Sequence, residues 1–439
     1  MAHRSDHWLA RIPTYTTWPQ MPQAHGPFGK DALNDDERRR LAGIPLFLNV
    51  QTANAVREAH AMGGRALAYL SFMDTYVHTA GFENGTARVA WDPGLAQMLL
   101  IDRDGRFVNT PMDGTWRMWR CLVCNNTPQY VQLALDMVRR QMEAGVDGLF
   151  VDNSDPRRPC FGHGVHVGYV PQRRQVLAAI EPWPLTGPSA RLSPEQLHRR
   201  RRRPARPVLD PHIRKLPVHR HLWPGISHNE AYIRLLRRVR TLVRQYGSDK
   251  VVVTNGEGVS QFADCVDGAM LESFIYSWAW TGPRGTWADW KRQAGPWAPY
   301  MKRGGRVLAV SYLGNTRRAV HEDALHSCAA SALLGYMWSD YNTCKQAEAR
   351  ELRRLELGER LTGLRALEAV EYGVFAGGLA AINASGRPRA VEIPVPAGFG
   401  HAALRNLADG QTIARHKGVF RVVVPAYGGR ILAAERGQV

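Results

Sequence analysis

The chain has no uninterrupted apolar stretch of about 18 residues, the length a helix needs to cross a bilayer, which excludes a membrane-spanning helix. Its first residues lack the apolar core of a secretory signal, so the expectation is a cytoplasmic protein, or a secreted one if a leader precedes these residues. There is no Walker-type loop and no Gly-x-Gly-x-x-Gly at a strand-to-helix turn, which argues against a phosphate- or dinucleotide-cradling domain. No elbow motif surrounds Ser273, so a Ser273–His326 nucleophile and base is not supported. Cysteine is scarce: six residues in 439 do not make a disulfide framework. Cys265 and Cys328 lie in apolar sequence and are expected to be buried thiols. Cys121-Leu-Val-Cys124 and Cys160-Phe-Gly-His163 have ligand-like spacing, but free thiols on neighbouring loops, or one disulfide, are the simpler reading. No metal or other cofactor is assigned.

What is abundant is positive charge, a net +18. Half of it sits in residues 172–220, where 12 Lys and Arg face 3 Asp and Glu, with Arg199 to Arg203 unbroken. This Pro-rich stretch reads as a solvated, poorly ordered insertion over about 182–218 rather than a folded reader of bases. A nucleic-acid partner is therefore not expected, and oligomeric state is not legible.

The length suits one large domain plus a small one. Eight apolar strand-like runs, at 12–15, 46–50, 66–72, 148–152, 251–254, 269–271, 307–312 and 336–339, have helix-like runs between them. That alternation predicts a parallel sheet, and eight strands close a (β/α)₈ barrel spanning about 8–365. Helices are predicted over 127–144, with Thr127 as N-cap and Gly145 as stop, and over 229–246. Two connections are long, 73–126 and 153–227, and are expected to wall the cleft in part or to be disordered. From 368 to 439, β-formers cluster between Gly and Pro turns, predicting a small antiparallel β-sandwich packed on the barrel.

Acids stand at the ends of three successive predicted strands. Gly-Val-Asp-Gly-Leu-Phe-Val-Asp-Asn-Ser-Asp at 145–155 delivers Asp152, with Asn153 and Asp155 beside it. Val-Val-Val-Thr-Asn-Gly-Glu at 251–257 supplies Asn255 and Glu257, and Asp-Gly-Ala-Met-Leu-Glu-Ser at 267–273 supplies Glu272. Barrels present catalytic groups at this edge, and paired carboxylates suit glycosidic bond cleavage, one as acid and one ionised. Polar neighbours favour Asp152 as the charged partner. The apolar sequence around Glu272 suits it to the proton donor, with Glu257 as rival.

The segments at 145–152, 254–256 and 267–272 resemble the corresponding strands of glycoside hydrolase family 114, the endo-α-1,4-polygalactosaminidases and related barrel glycosidases. The resemblance implies the strand-four and strand-six acids, here Asp152 and Glu272, as the catalytic pair. Barrel α-glycosidases similar to the amylase clan pair a strand-four Asp with a strand-five Glu, which keeps Glu257 in play. The chain departs from family 114 in its long connection after strand four and its appended sandwich.

Aromatic residues near strand ends suit a carbohydrate partner, since flat rings cover the apolar face of a pyranose. Tyr69, Trp278, Trp280 and Trp338 are the candidates, with Asp74, Asn153, Asp155, Asn255 and Asp340 as sugar-hydroxyl ligands. The alternative to an enzyme is a barrel that binds carbohydrate without cleaving it.

Overall fold

The structure is a computed structural model, described here for residues 7–16, 33–50, 52–78, 81–83, 86–90, 98–100, 120–152, 154, 221–255, 263–277, 283–313, 320–341 and 351–435. The chain divides into two compact units, one of Met1–Tyr69, Met142–Phe150 and Tyr246–Val439, the other of Leu70–Gln141 and Val151–Gln245.

The first unit holds a parallel barrel. Its staves are β1 (Leu46–Val50), β2 (Arg65–Ser71), β7 (Gly148–Asp152), β8 (Val251–Asn255), β9 (Gly268–Glu272), β10 (Arg306–Tyr312) and β11 (Met337–Tyr341), hydrogen-bonded in that order. The eighth stave is residues 13–16. Tyr15 N–H donates to Trp338 O at 3.1 Å, and Trp338 N–H to Pro13 O at 2.9 Å. On the other side, Thr16 N–H donates to Leu46 O and Leu48 N–H to Thr16 O, both at 2.9 Å. This short segment, the least strand-like of the eight predicted runs, joins β11 to β1 and leaves neither as a free edge.

The staves form where they do because they are apolar on both faces, as parallel strands covered on both sides must be. Alternate residues point inward: Leu46 and Leu48, Leu67, Phe150, Val251 and Val253, Met270, Leu308 and Val310, and Met337 make one interior cluster. Leu9, from a 3₁₀ turn at Trp8–Arg11, joins that cluster, and a Cβ on Gly268 would meet its Cδ2 at 3.4 Å. Outside lie α1 (Asp35–Leu41), α2 (Ala53–Ala61), α5 (Trp287–Ala294), α6 (Ala298–Lys302) and α7 (Val320–Leu334). A capping box, in which Asn34 and Glu37 bond each other's backbone N–H, starts α1.

The C-terminal sandwich is as predicted, in eight strands. β12 (Arg365–Leu367), β13 (Val370–Phe375), β14 (Gly378–Asn383), β16 (Ala403–Asn406), β17 (Thr412–Ala414) and β19 (Gly428–Ala433) form one sheet in the order β12-β13-β14-β19-β16-β17. β15 (Arg389–Pro394) and β18 (Val419–Val424) pair antiparallel as a second sheet. Tyr372, Leu379 and Leu432 from the first sheet pack with Ile393, Phe420 and Val422 from the second.

Helix α7 is common to barrel and sandwich, touching β10 and β11 on one side and β14 and β19 on the other. Every residue from Asp323 to Ser331 is buried, so the helix is covered all round instead of presenting a polar face to solvent, and the polar side chains Asp323, His326, Ser327 and Ser331 lie inside. A Cβ on Gly429 of β19 would stand 2.9 Å from His326 Cα and 3.0 Å from Ala329 Cβ, so this close approach requires glycine.

The second unit contains β3 (Asp74–His78), β4 (Gly81–Glu83), β5 (Thr86–Ala90) and β6 (Arg120–Leu122), a sheet of order β4-β5-β3-β6, followed by α3 (Pro128–Glu143) and α4 (His228–Gln245). The connection after β2 is thus partly a sheet rather than a loop. Helices α3 and α4 match the two predicted spans to within a residue or two. The basic insertion expected at 182–218 lies outside the described residues.

At the opposite end of the barrel from the strand-end acids, Asp147 organises three staves. It is buried and accepts from Ala66 N–H at 2.9 Å, Arg65 Nη1 at 2.8 Å and His60 Nε2 at 2.8 Å, with Lys250 Nζ at 3.7 Å. Burial pushes its carboxyl up, but these donors and charges outweigh it and hold the group below the usual carboxylate range. A depressed acid stabilises the fold above its unfolded pKa, and that contribution is lost as pH falls through the folded value. We expect Asp147→Asn to be less stable at neutral pH and to show a flatter acid limb than the parent in urea denaturation followed against pH.

Candidate active site

Parity along each stave decides which strand-end groups face the barrel axis. Glu272 follows Met270, Asn255 follows Val253 and Tyr312 follows Val310, each two residues beyond an interior side chain. The three meet. Asn255 Nδ2 donates to Glu272 Oε2 at 2.9 Å, and the Tyr312 hydroxyl donates to Glu272 Oε1. Glu272 is nonetheless exposed, a carboxyl clamped on two sides and open to solvent.

The apolar sequence expected to surround this carboxyl goes elsewhere. Phe274, Ile275 and Tyr276 are buried, and Phe274 packs edge-on against Trp290 with ring centres 4.9 Å apart. The chain leaves β9 through Ser273 at φ 60° and Ile275 at φ 61°, left-handed conformations that are uncommon for non-glycine residues and unfavourable for a β-branched one. Hydrogen bonds hold them: Phe274 N–H donates to Val310 O at 2.9 Å, and Ser311 Oγ to Phe274 O at 2.5 Å. Backbone strain of this kind clusters at functional sites. Here it turns the chain inward directly after the carboxylate.

In the second unit, Asp152 ends β7 half-buried, two residues beyond Phe150. The Tyr232 hydroxyl donates to Ser154 Oγ at 2.7 Å, and Ser154 Oγ donates to Val151 O at 3.1 Å. Burial raises the Tyr232 phenol above its ordinary value, and the charges of Asp152 and Asp74 raise it further. Both acids therefore act on one buried phenol. Asp74 is 1% exposed and accepts from Ser71 Oγ at 2.7 Å. In the same unit, Asn126 bonds Trp223 twice, Nδ2 to the carbonyl and Oδ1 from the N–H, each at 2.9 Å.

Two predicted sugar ligands are corrected. Asp340 is 0% exposed, and both its oxygens are taken by Arg353, Nε to Oδ1 and Nη2 to Oδ2, each at 2.7 Å. Trp338 is 1% exposed, and its indole donates to Ser327 Oγ of α7 at 2.9 Å. Both have outward parity because Met337 points inward, so they brace the barrel wall. Tyr69 lies partly buried against the interior cluster, its ring 6.0 Å from that of Phe150. Asn153, Asp155, Glu257, Trp278 and Trp280 lie outside the described residues. Sequence reasoning missed Tyr312, Tyr232 and Ser154. Continuing the inward alternation of the seventh predicted strand by one step would have found Tyr312.

Among the described residues no group of three or more His, Cys, Asp or Glu could hold a metal. Cys265 and Cys328 are buried as expected. Position 121 lies in β6 opposite Thr75, and Cys124, three residues on, donates its N–H to Met98 O at 2.7 Å. Cys160 and His163 lie outside the described residues. No helix among the described residues is long and apolar enough to cross a membrane.

The fold is that of a (β/α)₈ barrel carrying a small antiparallel β-sandwich. No family model matches the chain, and no curated protein does. Among solved structures it is similar to an inactive double mutant of MutB, at 10% identity over 97% of this chain and 99% of that one, with a TM-score of 0.51. That likeness supports the barrel fold. The glycoside hydrolase domain of PelA from Pseudomonas aeruginosa also matches, at 13% identity over 76% of this chain and 97% of that one, with a TM-score of 0.41.

The two kinds of acid separate experimentally. Removing one partner of a buried ion pair leaves the other charge uncompensated, so Asp340→Asn should cost about 3–5 kcal/mol in chemical denaturation. Tyr312→Phe, at an exposed carboxylate, should cost about 1 kcal/mol or less.

Proposed function

We propose that the protein is a glycoside hydrolase acting on an oligo- or polysaccharide through two carboxyl groups, Asp152 and Glu272. The observation that carries this reading is the placing of Glu272, on the inner face at the end of its stave, oriented by Asn255 and Tyr312 and left open to solvent. A carboxyl kept only for structure would be expected to have its oxygens buried against a cation, as Asp340 has. Asp152 ends its own stave with the same inward parity, and Asp74 and Tyr232 shape its surroundings.

In this mechanism Glu272 gives its proton to the glycosidic oxygen as the bond to the anomeric carbon breaks. Asp152, ionised, either bonds to that carbon or takes a proton from the water that does. In the first case a covalent glycosyl ester forms, and water releases it with Glu272 now acting as base. In the second the water adds directly and the configuration inverts. The resemblance to family 114 makes α-1,4-linked galactosaminides the first substrates to try, within a panel of aryl glycosides and polysaccharides.

We expect Asp152→Asn and Glu272→Gln each to lower turnover by orders of magnitude while leaving the melting temperature close to the parent's, because both changes are nearly isosteric. An active Glu272→Gln beside an inactive Glu257→Gln would move the donor's role to Glu257. Retained binding with no turnover of any panel member by the parent would favour the carbohydrate-binding alternative. Stereochemistry follows from the separation of the two carboxyl groups in a crystal structure: about 5–5.5 Å for retention, about 6.5–9.5 Å for inversion.

A further inference from the structure

The interior of the barrel carries a second polar feature level with Glu272. The registers of β9, β10 and β11 place Glu272, Val310 and Ser339 opposite one another. All three continue the inward alternation of their staves, set by Met270, Val310 itself and Met337. Tyr15 stands on the next stave, its N–H bonded to Trp338 O, and its side chain belongs to the same interior cluster. Tyr15 and Ser339 are both 0% exposed, and among the described residues neither hydroxyl has a hydrogen-bond partner.

An unmade hydrogen bond on a buried hydroxyl is costly, and native interiors resolve such groups with protein partners or internal water. Two of them on adjacent staves, facing one interior, suit a single bridging water, which needs two to four polar partners. A sugar cannot be the ligand of groups so completely enclosed. Electrostatics agree with the placement: burial first, then the charges of Glu272 and Asp340, push the Tyr15 phenol well above its ordinary value. Asp340 is already held through both oxygens by Arg353, which leaves Glu272 as the acid with room for a further donor.

We propose that the hydroxyls of Tyr15 and Ser339 hold one internal water beside Glu272, giving that carboxyl a third hydrogen-bond partner besides Asn255 and Tyr312. Tyr15 is then a positioning residue, acting on Glu272 through the water. The water site stands on packing alone; its link to turnover rests on the proposed glycosidase.

The test is a double-mutant cycle with Tyr15→Phe, Ser339→Ala and the double variant, read first by thermal denaturation of the full chain. Each single change should lower the melting temperature, and the double should fall by less than the sum, because both changes remove the same water. A rise in melting temperature for Tyr15→Phe, or strictly additive losses, would overturn the proposal, since deleting an unpartnered hydroxyl relieves a penalty. This arm needs no activity, so it stands even if the protein cleaves no glycoside. With a substrate in hand, Tyr15→Phe should lower kcat several-fold with KM unchanged and should shift the acid limb of the pH profile. An unaltered kcat and profile would limit the water to the fold and refute the positioning role.

Discussion

The structure depends on four backbone hydrogen bonds made by residues 13–16. A parallel sheet of seven strands has two bare edges, and here they belong to β1 and β11. The short stave satisfies both at once, and Tyr15, which it carries, fills the interior that closure creates. Glu272 on β9, Tyr312 on β10 and Ser339 on β11 face the same interior as Tyr15, on four consecutive staves. Pro13 fits this position without loss: its carbonyl is the group used, and it has no N–H to leave unmet.

Among the described residues, the acids of the barrel divide by the end and the face of the stave on which they stand. Asp147 and Asp267, at or just before the starts of β7 and β9, bond backbone N–H groups of the neighbouring staves Ala66 and Val252 and set register. Asp340 spends its charge on Arg353 in the wall. Glu272 alone among these is clamped by neutral donors and still faces solvent. Neutral clamping orients a carboxyl without fixing a counter-charge beside it.

Much of this was legible in the sequence for one physical reason. Staves buried on both faces are near-continuous apolar runs, and Gly145, Thr127 and similar punctuation marks bound the helices, so all eight staves and the sandwich could be placed. The sheet β3–β6 was not seen, because its strands are three to five residues long and their pairing, Thr75 with Cys121 for instance, joins positions far apart in sequence. Trp338 and Asp340 were misread because nearness to a strand end says nothing about face. A single inward neighbour, Met337, reverses both assignments. The surroundings of Glu272 differ from the sequence expectation for a related reason: two left-handed residues turn Phe274 and Ile275 into the core, so neighbours in sequence are not neighbours in space. The supporting residues Tyr312 and Asn255 come from other staves, which no local motif reports.

Helix α7 has a consequence for how the chain can be cut. A β-sandwich following a barrel resembles a detachable module, and its sequence boundary near residue 365 is sharp. Yet the helix that connects β10 to β11 buries its far side against β14 and β19, with Gly429 pressed onto its backbone. Removing the sandwich would strip a fully buried helix of part of its covering and expose it on the barrel's flank. The barrel and the sandwich thus share one helix as a common wall, and a cut near residue 365 would leave that wall one-sided.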